Sequence, residues 1–424
     1  MNKASNVERQ GSNRALVLAL LFVVYTFNFI DRQIVGILAT PIKADLNLTD
    51  TQLGLLGGLA FAIFYTSLGV PIAWIADRWS RTWTMTLALG LWSAFTALCG
   101  VAVNYVQLFL ARVGVGVGEA GGVAPAYSLI SDYFPPKERA RALAIYSFGI
   151  PVGSAAGIAL GGVVASLVDW RAAFITVGLA GVLVAPVFRA LVREPERGRF
   201  DAALRAEQAK MSFFELMRML GRKPSFWLVS LGAAASSIMS YGAFFWMPSF
   251  LIRSYGFTLR EASYFYAAIL LVGGVLGIWL GGFLADKLGG RSRAAYALIP
   301  AIAFAIAAPC YALGLLSPSP TAAFALFLFP TAFGLAWLAP VITAVQHLAP
   351  ATSRSTASAL FLFINNLIGL GLGSTLIGAI SDALTSRFSN EALRLSILSG
   401  AGFYVISGIL FAIASRFLRR DWLD

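Results

Sequence analysis

Charge is what this sequence has least of. Only 12% of its 424 residues are Asp, Glu, Lys or Arg, whereas 58% are hydrophobic. A soluble chain carries about a quarter of its residues as charges, so there is too little polar surface here for the two or three soluble domains that this length would fill. Cysteine is nearly absent too. Cys99 and Cys310 each lie within an apolar run, which implies neither a disulfide framework nor a metal site. His347 is the only histidine, and no Cys/His cluster, nucleophile triad or phosphate-binding loop occurs in the polar segments. A soluble enzyme, a nucleic-acid-binding domain and a disulfide-built secreted module are therefore excluded. A membrane-embedded lipid enzyme would need a catalytic constellation at a membrane face, and none is visible. The chain is not expected to be an enzyme, or to need a cofactor or a metal.

What the sequence does contain is apolar runs. Each membrane-spanning helix needs roughly 20 mostly apolar residues. Twelve such runs are read at 14–40, 52–76, 82–103, 106–130, 142–166, 171–191, 226–251, 261–285, 293–316, 321–345, 355–379 and 392–418. The first is too long for the core of a signal peptide, and it contains Asp31 and Arg32, so it is read as a retained helix. The basic residues set the topology. With the N-terminus in the cytoplasm, inside segments hold 23 Lys and Arg and outside segments hold six, the positive-inside pattern. Both termini are thus expected in the cytoplasm, and the net charge of +12 serves topology rather than nucleic acid.

One long polar connection, 192–223, divides two six-helix parts, 1–191 and 224–424. Within it Ser212 and Glu215 form a possible capping box. Phe213, Leu216, Met217 and Leu220 share one helical face, so this is either a helix on the membrane surface or a plain tether. The two parts repeat each other. Asp77 leaves the second span and Asp286 the eighth, 209 positions apart, while Arg139 and Arg354 enter the fifth and eleventh, 215 apart. Half of the chain is 212 residues, so one duplication explains both spacings. Parallel repeats of this kind mark transporters that bind substrate midway through the bilayer.

The loop patterns Ala73-Trp-Ile-Ala-Asp77-Arg78 and Gly282-Phe-Leu-Ala-Asp286-Lys287-Leu-Gly289 resemble the signature of the major facilitator superfamily. Ala73 and Ser80 stand where that family usually has Gly. Arg112-x3-Gly116-x-Gly118 resembles a second signature. Asn28-Phe-Ile-Asp31-Arg32, Gly116-Val-Gly118-Glu119-Ala120 and Ile150-Pro-Val-Gly-Ser154 look like its spinster-type branch. The resemblance covers nearly the whole chain. It implies an all-α integral membrane fold of twelve transmembrane helices in two pseudo-symmetric six-helix halves.

Four ionisable residues fall well inside spans: Asp31, Arg32, Arg112 and Glu119. Each costs about 2.5–3.5 kcal/mol at a helix centre on insertion scales. Counted at 1.5 Å per residue, Asp31 lies about 14 Å and Arg112 about 9 Å below the outer ends of their helices, and Glu119 about 20 Å. Asp31 and Arg112 are therefore at compatible depths for a pair, and Glu119 is two turns from Arg112 on nearly the same face. Desolvation favours a neutral carboxyl and a nearby Arg the carboxylate, so a change in water access and Arg distance would make Asp31 a proton switch. The alternative is a permanent ion cluster that only joins two helices, with Arg32 pointing outward to snorkel. The resemblance implies proton coupling through the helix 1 acid and the helix 4 charges.

It also implies an inner gate at Asp77, Arg78, Arg81, Asp286 and Lys287, with Arg139 and Arg354 as accessory members; exposed topogenic charges are the other reading. Asn28, Tyr241, Phe244, Phe245, Trp246, Trp337, Asn365 and Asn366 are candidates to line a substrate cavity, although most membrane aromatics face lipid or pack between helices. Gly116-Val-Gly-Glu-Ala-Gly121 fits a dinucleotide fingerprint but lies in a span with no strand before it, so the match is accidental; its glycines are expected to serve close helix packing. His347 is read as a solvated helix-end residue. The function implied is a proton-coupled secondary transporter of amphipathic lipids such as lysophospholipids or sphingoid phosphates, with small organic anions or drugs as the alternative. A monomer in a bacterial inner membrane is expected.

Overall fold

The computed structural model describes residues 4–198, 200, 212–289, 292–350 and 353–423; residues 199 and 201–211 of the connection between the halves lie outside the described residues. The first half carries α1 (Ala4–Leu46), α2 (Asp50–Gly57), α3 (Leu59–Arg78), α4 (Arg81–Cys99), α5 (Tyr105–Glu119), α6 (Val123–Tyr133), α7 (Pro136–Ser147), α8 (Gly149–Leu167) and α9 (Trp170–Leu191). After α10 (Phe213–Gly221) come α11 (Pro224–Tyr255), α12 (Leu259–Gly289), α13 (Ala295–Leu316), α14 (Pro320–Ala336), α15 (Leu338–Gln346), α16 (Arg354–Asn365), α17 (Gly371–Phe388), α18 (Ala392–Gly400) and α19 (Gly402–Asp421). No strand occurs among the described residues.

Ten stretches among the described residues are long and apolar enough to cross a membrane. Two features separate that number from the twelve apolar runs of the sequence. The fourth run is helical in two short pieces, α5 and α6. The eleventh and twelfth form one stretch of 66 residues, Thr356–Asp421, far longer than the roughly 20 that one crossing needs and interrupted by a 3-10 turn at Ser389–Glu391. The fold is therefore all-α, with twelve transmembrane helices in two pseudo-symmetric six-helix halves.

The chain forms two compact units, residues 1–34 with 63–207 and residues 35–62 with 208–424. In the first unit, small residues let backbones touch, as they must where lipid gives helices no hydrophobic drive to associate. A Cβ on Gly118 would stand 2.6 Å from the Trp92 amide nitrogen, and one on Gly178 2.3 Å from that of Ala97. Gly153 and Gly157 bring α8 equally close to α1 at Thr26 and Ile30. In the second unit α11 is the most buried span. There Gly277 and Gly281 of α12 meet the carbonyls of Ala332 and Ala336, and Gly54 meets that of Ser374.

Several spans are broken, and the breaks repeat. The fourth is interrupted after Glu119 at Ala120–Gly122, and the tenth at Trp337. The fifth is interrupted at Phe148, and the eleventh loosens into a π-helix over Asn366–Leu370. Ala120 and Trp337 are 217 residues apart, and Phe148 and Asn366 218, close to the offset of the charged loop motifs. Unwound backbone at membrane depth persists only where protein or a cavity satisfies it, so the duplication has kept its irregularities as well as its helices. The capping box at Ser212 and Glu215 is present, and α10 buries Leu216 and Leu220 while leaving Phe214 and Met217 exposed.

Gly118→Ala is expected to lower the melting temperature of the purified protein, at a cost of about 1–3 kcal/mol for forcing α4 and α5 apart. Gly69→Ala, with open space around it, is expected to be neutral or stabilising by up to about 1 kcal/mol. Equal melting temperatures for Gly118→Ala and wild type would contradict the close approach.

Candidate functional site

The in-membrane charges come together in the first unit. Asp31 and Arg112 are each 1% exposed and Glu119 is fully buried. Glu119, the last residue of α5 before the break, accepts from Arg32 Nε at 2.8 Å and from Asn28 Nδ2 at 2.8 Å, both on Oε2. Its Oε1 is buried with no hydrogen-bond partner. The Arg32 guanidinium also lies over the Phe29 and Tyr65 rings, 5.2 and 4.6 Å from their centroids, and its side chain is only 10% exposed. Arg32 therefore turns inward. Arg112 Nη1 donates to the Asp31 backbone carbonyl at 3.5 Å, and both Asp31 carboxylate oxygens are buried without a hydrogen-bond partner. Trp92 and Thr96 of α4 are the neutral side chains beside that carboxyl, and Trp92 Nε1 and Thr96 Oγ1 are likewise buried and unpartnered. Two acids and two guanidiniums thus share one buried neighbourhood, and one of the acids, Glu119, is ion-paired with Arg32.

At the Lys/Arg-rich ends of the spans, the candidate gate residues separate into two kinds. Asp77, Arg78, Asp286 and Lys287 are exposed; Arg78 stacks on Trp74, 3.8 Å from the ring centroid. Arg81 is buried at the start of α4. It pairs with Asp132 and, through Nε at 2.7 Å, with Glu194, and it donates to Ser128 Oγ at 2.9 Å and to the Pro195 carbonyl at 3.0 Å. Glu194 also accepts the Thr82 amide at 2.9 Å and the Ser80 hydroxyl at 2.8 Å, an acid placed at a helix N-terminus. Burial works to raise its pKa, but the Thr82 amide, Arg81 and Ser80 outweigh that and hold it below the ordinary glutamate range. Its contribution to stability is then present above the unfolded pKa and lost as pH falls through the folded one. Arg139 caps α6, donating to the carbonyls of Ser131 at 2.8 Å and Phe134 at 3.1 Å. Arg354 is half-buried with its Nε unpartnered. His347 is not simply solvated: its ring stacks on Trp422 at 4.4 Å, with Nδ1 3.3 Å from the Leu423 carbonyl.

Sequence reasoning missed Asp132 and Glu194. A topology reading counts Lys and Arg; looking for acids at the same membrane level, at the ends of the fourth and sixth spans, would have found both.

The candidate cavity residues also divide. Phe245, Trp246, Trp337, Asn365 and Asn28 are buried, whereas Tyr241, Phe244 and Asn366 are half-exposed. Trp246 donates its indole N–H to the Ser374 carbonyl at 2.8 Å, and Asn365 accepts the Ser237 hydroxyl at 2.9 Å. Asn366 opens the π-helical turn, an irregularity that is frequent at functional sites. Phe244 also borders a small cavity inside the second unit with Ser240, Tyr266, Tyr311, Thr331 and Tyr404.

A third buried polar cluster, outside every sequence expectation, surrounds Asp50. It is 1% exposed and bonded to Lys43, Arg253 and Ser381, all within the second unit.

Residues 21–374 match the family described as Major Facilitator Superfamily. The chain is 33% identical over 421 residues to an MFS-type efflux pump of Mycolicibacterium smegmatis, covering 99% of this chain and 97% of that one. It is 31% identical over 434 residues to human protein spinster homolog 1, covering 96% and 81%. Among solved structures, it is similar to a bacterial homologue of the human lysosomal transporter spinster in an inward-facing, unoccupied conformation. The TM-score is 0.87 at 34% identity, with 97% of this chain and 99% of that chain covered.

Arg81→Ala leaves Asp132 and Glu194 without their buried cation and is expected to cost about 3 kcal/mol or more, read as a large drop in melting temperature. Asp286→Ala, at an exposed position, is expected to stay within about 0.5 kcal/mol of wild type. Equal losses in the two variants would contradict the division of the gate residues into buried and exposed kinds.

Proposed function

Because the chain belongs to the major facilitator superfamily, in its spinster-like branch, we propose that this transporter is proton-coupled, works by alternating access and moves amphipathic lipids such as lysophospholipids or sphingoid phosphates. The observation that carries the coupling is the Asp31 carboxyl, buried and without a hydrogen bond, in a neighbourhood where Glu119 already holds Arg32 and Asn28. A carboxyl in that position responds to two variables, its access to water and its distance from Arg112. A conformational change that alters either gives Asp31 different proton affinities in the two states. A proton taken from one side and released to the other then drives the cycle, because a ligand shifts an equilibrium only by its differential affinity for the two states. Arg32 and Asn28 hold Glu119 at the break in the fourth span, so movement there changes the field at Asp31.

Asp77, Arg78, Arg81, Asp286 and Lys287 are the inner gate, with Arg139 and Arg354 as accessory members; Asp77, Arg78, Asp286 and Lys287 are the exposed ones among them. The Lys/Arg-rich ends face the cytoplasm of a bacterial cell, with both termini on that side, and the protein acts as a monomer. The lipid assignment rests on the spinster resemblance, with Tyr241, Phe244 and Asn366 as the half-exposed groups for an acyl chain and a polar head. The likeness to an efflux pump favours drugs or small organic anions as the second reading.

The discriminating assay uses liposomes carrying a pH gradient. Wild type is expected to move a lysophospholipid faster than protein-free vesicles, and Asp31→Asn to lose the gradient-driven part, at least about tenfold, while folding normally. Undiminished gradient-driven flux in Asp31→Asn would sink the coupling role. Lysolipid flux equal with and without protein, alongside protein-dependent flux of a drug or organic anion, would transfer the assignment to the second reading.

A further inference from the structure

Between Ala295 and Gln346 the second unit has no Asp, Glu, Lys or Arg, so polarity at its centre comes from hydroxyl groups. Tyr266 of α12, Tyr311 of α13 and Tyr404 of α19 are all buried, and the Tyr311 hydroxyl has those of Tyr266 and Tyr404 as near neighbours. Ring packing holds them there. Tyr404 stacks on Phe304 with centroids 5.1 Å apart and planes at 17°. Tyr311 packs against Phe327 at 5.3 Å and against Tyr404 at 6.3 Å. The three phenols border one cavity together with Ser240 of α11 and Thr331 and Gly334 of α14.

These hydroxyls are unevenly served. Ser240 and Tyr404 share one hydrogen bond at 3.0 Å, and Thr331 gives its hydroxyl to the Phe327 carbonyl of its own helix at 2.8 Å. Tyr266 reaches the Ala243 carbonyl only at 3.4 Å, far longer than the usual bond of about 2.7–2.8 Å between oxygens. Tyr311 makes no hydrogen bond to any described residue. A buried phenol in that position is uncommon, because nothing replaces the water it gave up on folding. The space beside it, measured to the centre of a water molecule, is about 10 Å³. One buried water needs about 10–15 Å³ by that measure, and roughly two to four polar partners. Tyr311 and Tyr266 supply donors, and the Ser240–Tyr404 pair supplies an acceptor. A sugar, a lipid headgroup or an acyl chain is too large for this space. A sodium ion would be buried without a counter-charge, since no carboxylate lines the cavity.

We propose that the cavity is a water site: one ordered water, hydrogen-bonded by Tyr311, Tyr266 and the Ser240–Tyr404 pair, ties α11 to α12, α13 and α19 beside Phe244. Gly334 makes the room for it. A Cβ there would stand 3.4 Å from Ser240 Oγ and 3.5 Å from the Tyr404 hydroxyl, in ordinary contact with both and inside the space that the water takes. The water completes a polar centre that the helices alone leave unsatisfied, and it gives α11, the most buried span, one partner in common with three neighbours.

X-ray radiolytic labelling of the full chain in phosphatidylethanolamine–phosphatidylglycerol vesicles, read by mass spectrometry, tests the site. Hydroxyl radicals made from a bound water oxidise the ring beside it however deeply it is buried, whereas a ring in dry packing stays unlabelled. Tyr311 and Tyr404 are expected to be oxidised several-fold faster than Phe226 and Phe411, which are buried in the same unit and do not border the cavity. Gly334→Ala is expected to bring both tyrosines down to the rate of those phenylalanines, with labelling elsewhere unchanged. Tyr311→Phe keeps the ring, removes one hydroxyl and is expected to slow the labelling of Tyr266 and Tyr404 in the same way. Gly334→Ala decides if it folds, and Tyr311→Phe decides otherwise. Labelling of Tyr311 and Tyr404 no faster than that of Phe226 and Phe411 in wild type, or fast labelling that persists in the deciding variant, would overturn the water site.

Discussion

Hydrocarbon gives a charge no hydration, so each ion inside the span region has to find its compensation in protein. In the first unit that requirement organises the centre of the bundle. Glu119 takes Arg32 and Asn28 on one oxygen, Arg112 is drawn to the Asp31 backbone, and the Asp31 carboxyl is left with no hydrogen bond. The surrounding helices are shaped to bring these groups within reach. Gly118 and Gly114 press α5 against Trp92 and Phe95 of α4, and Gly153 and Gly157 press α8 against α1. The span that carries Glu119 stops being helical directly after it. Tight packing around an incompletely compensated acid is the arrangement in which a small movement has a large electrostatic effect.

Two further charge clusters have the same chemistry. Arg81 with Asp132 and Glu194 fastens the segment after the sixth span to the start of the third, all within one half of the sequence. Asp50 with Arg253, Lys43 and Asp382 joins residues from both halves of the sequence. The described residues thus carry three buried ionic centres, around Asp31 and Glu119, around Arg81 and around Asp50.

Much of this was legible in the sequence. Twelve apolar runs, the bias of Lys and Arg, and the 209- and 215-residue offsets give the fold class and its duplication, because the bilayer imposes length and polarity on every span. The four in-membrane charges were legible for the same reason: in so apolar a chain, Asp31, Arg32, Arg112 and Glu119 stand out by cost alone. Their partners were less so. Depth along two helices brings Asp31 and Arg112 to one level, but rotation about each axis decides which atoms meet, and one Arg112 hydrogen bond goes to the Asp31 backbone carbonyl. Asp50 was not legible at all. It opens the short helix α2 in a stretch of ordinary polarity, and its partners Arg253, Ser381 and Asp382 lie about 200 and 330 positions further on, so nothing local marks it. The break after Glu119 was masked by its apolar neighbours, although Gly121 and Gly122 are its visible trace.

The central claim is that Asp31 changes protonation as the transporter works. Infrared difference spectroscopy on the protein in lipid, read in the C=O stretch of protonated carboxyl groups while pH is cycled, tests it most directly. A protonated-carboxyl signal that comes and goes in wild type and is missing from Asp31→Asn is the predicted result. The same signal persisting in Asp31→Asn, or no such signal in either protein, would contradict it.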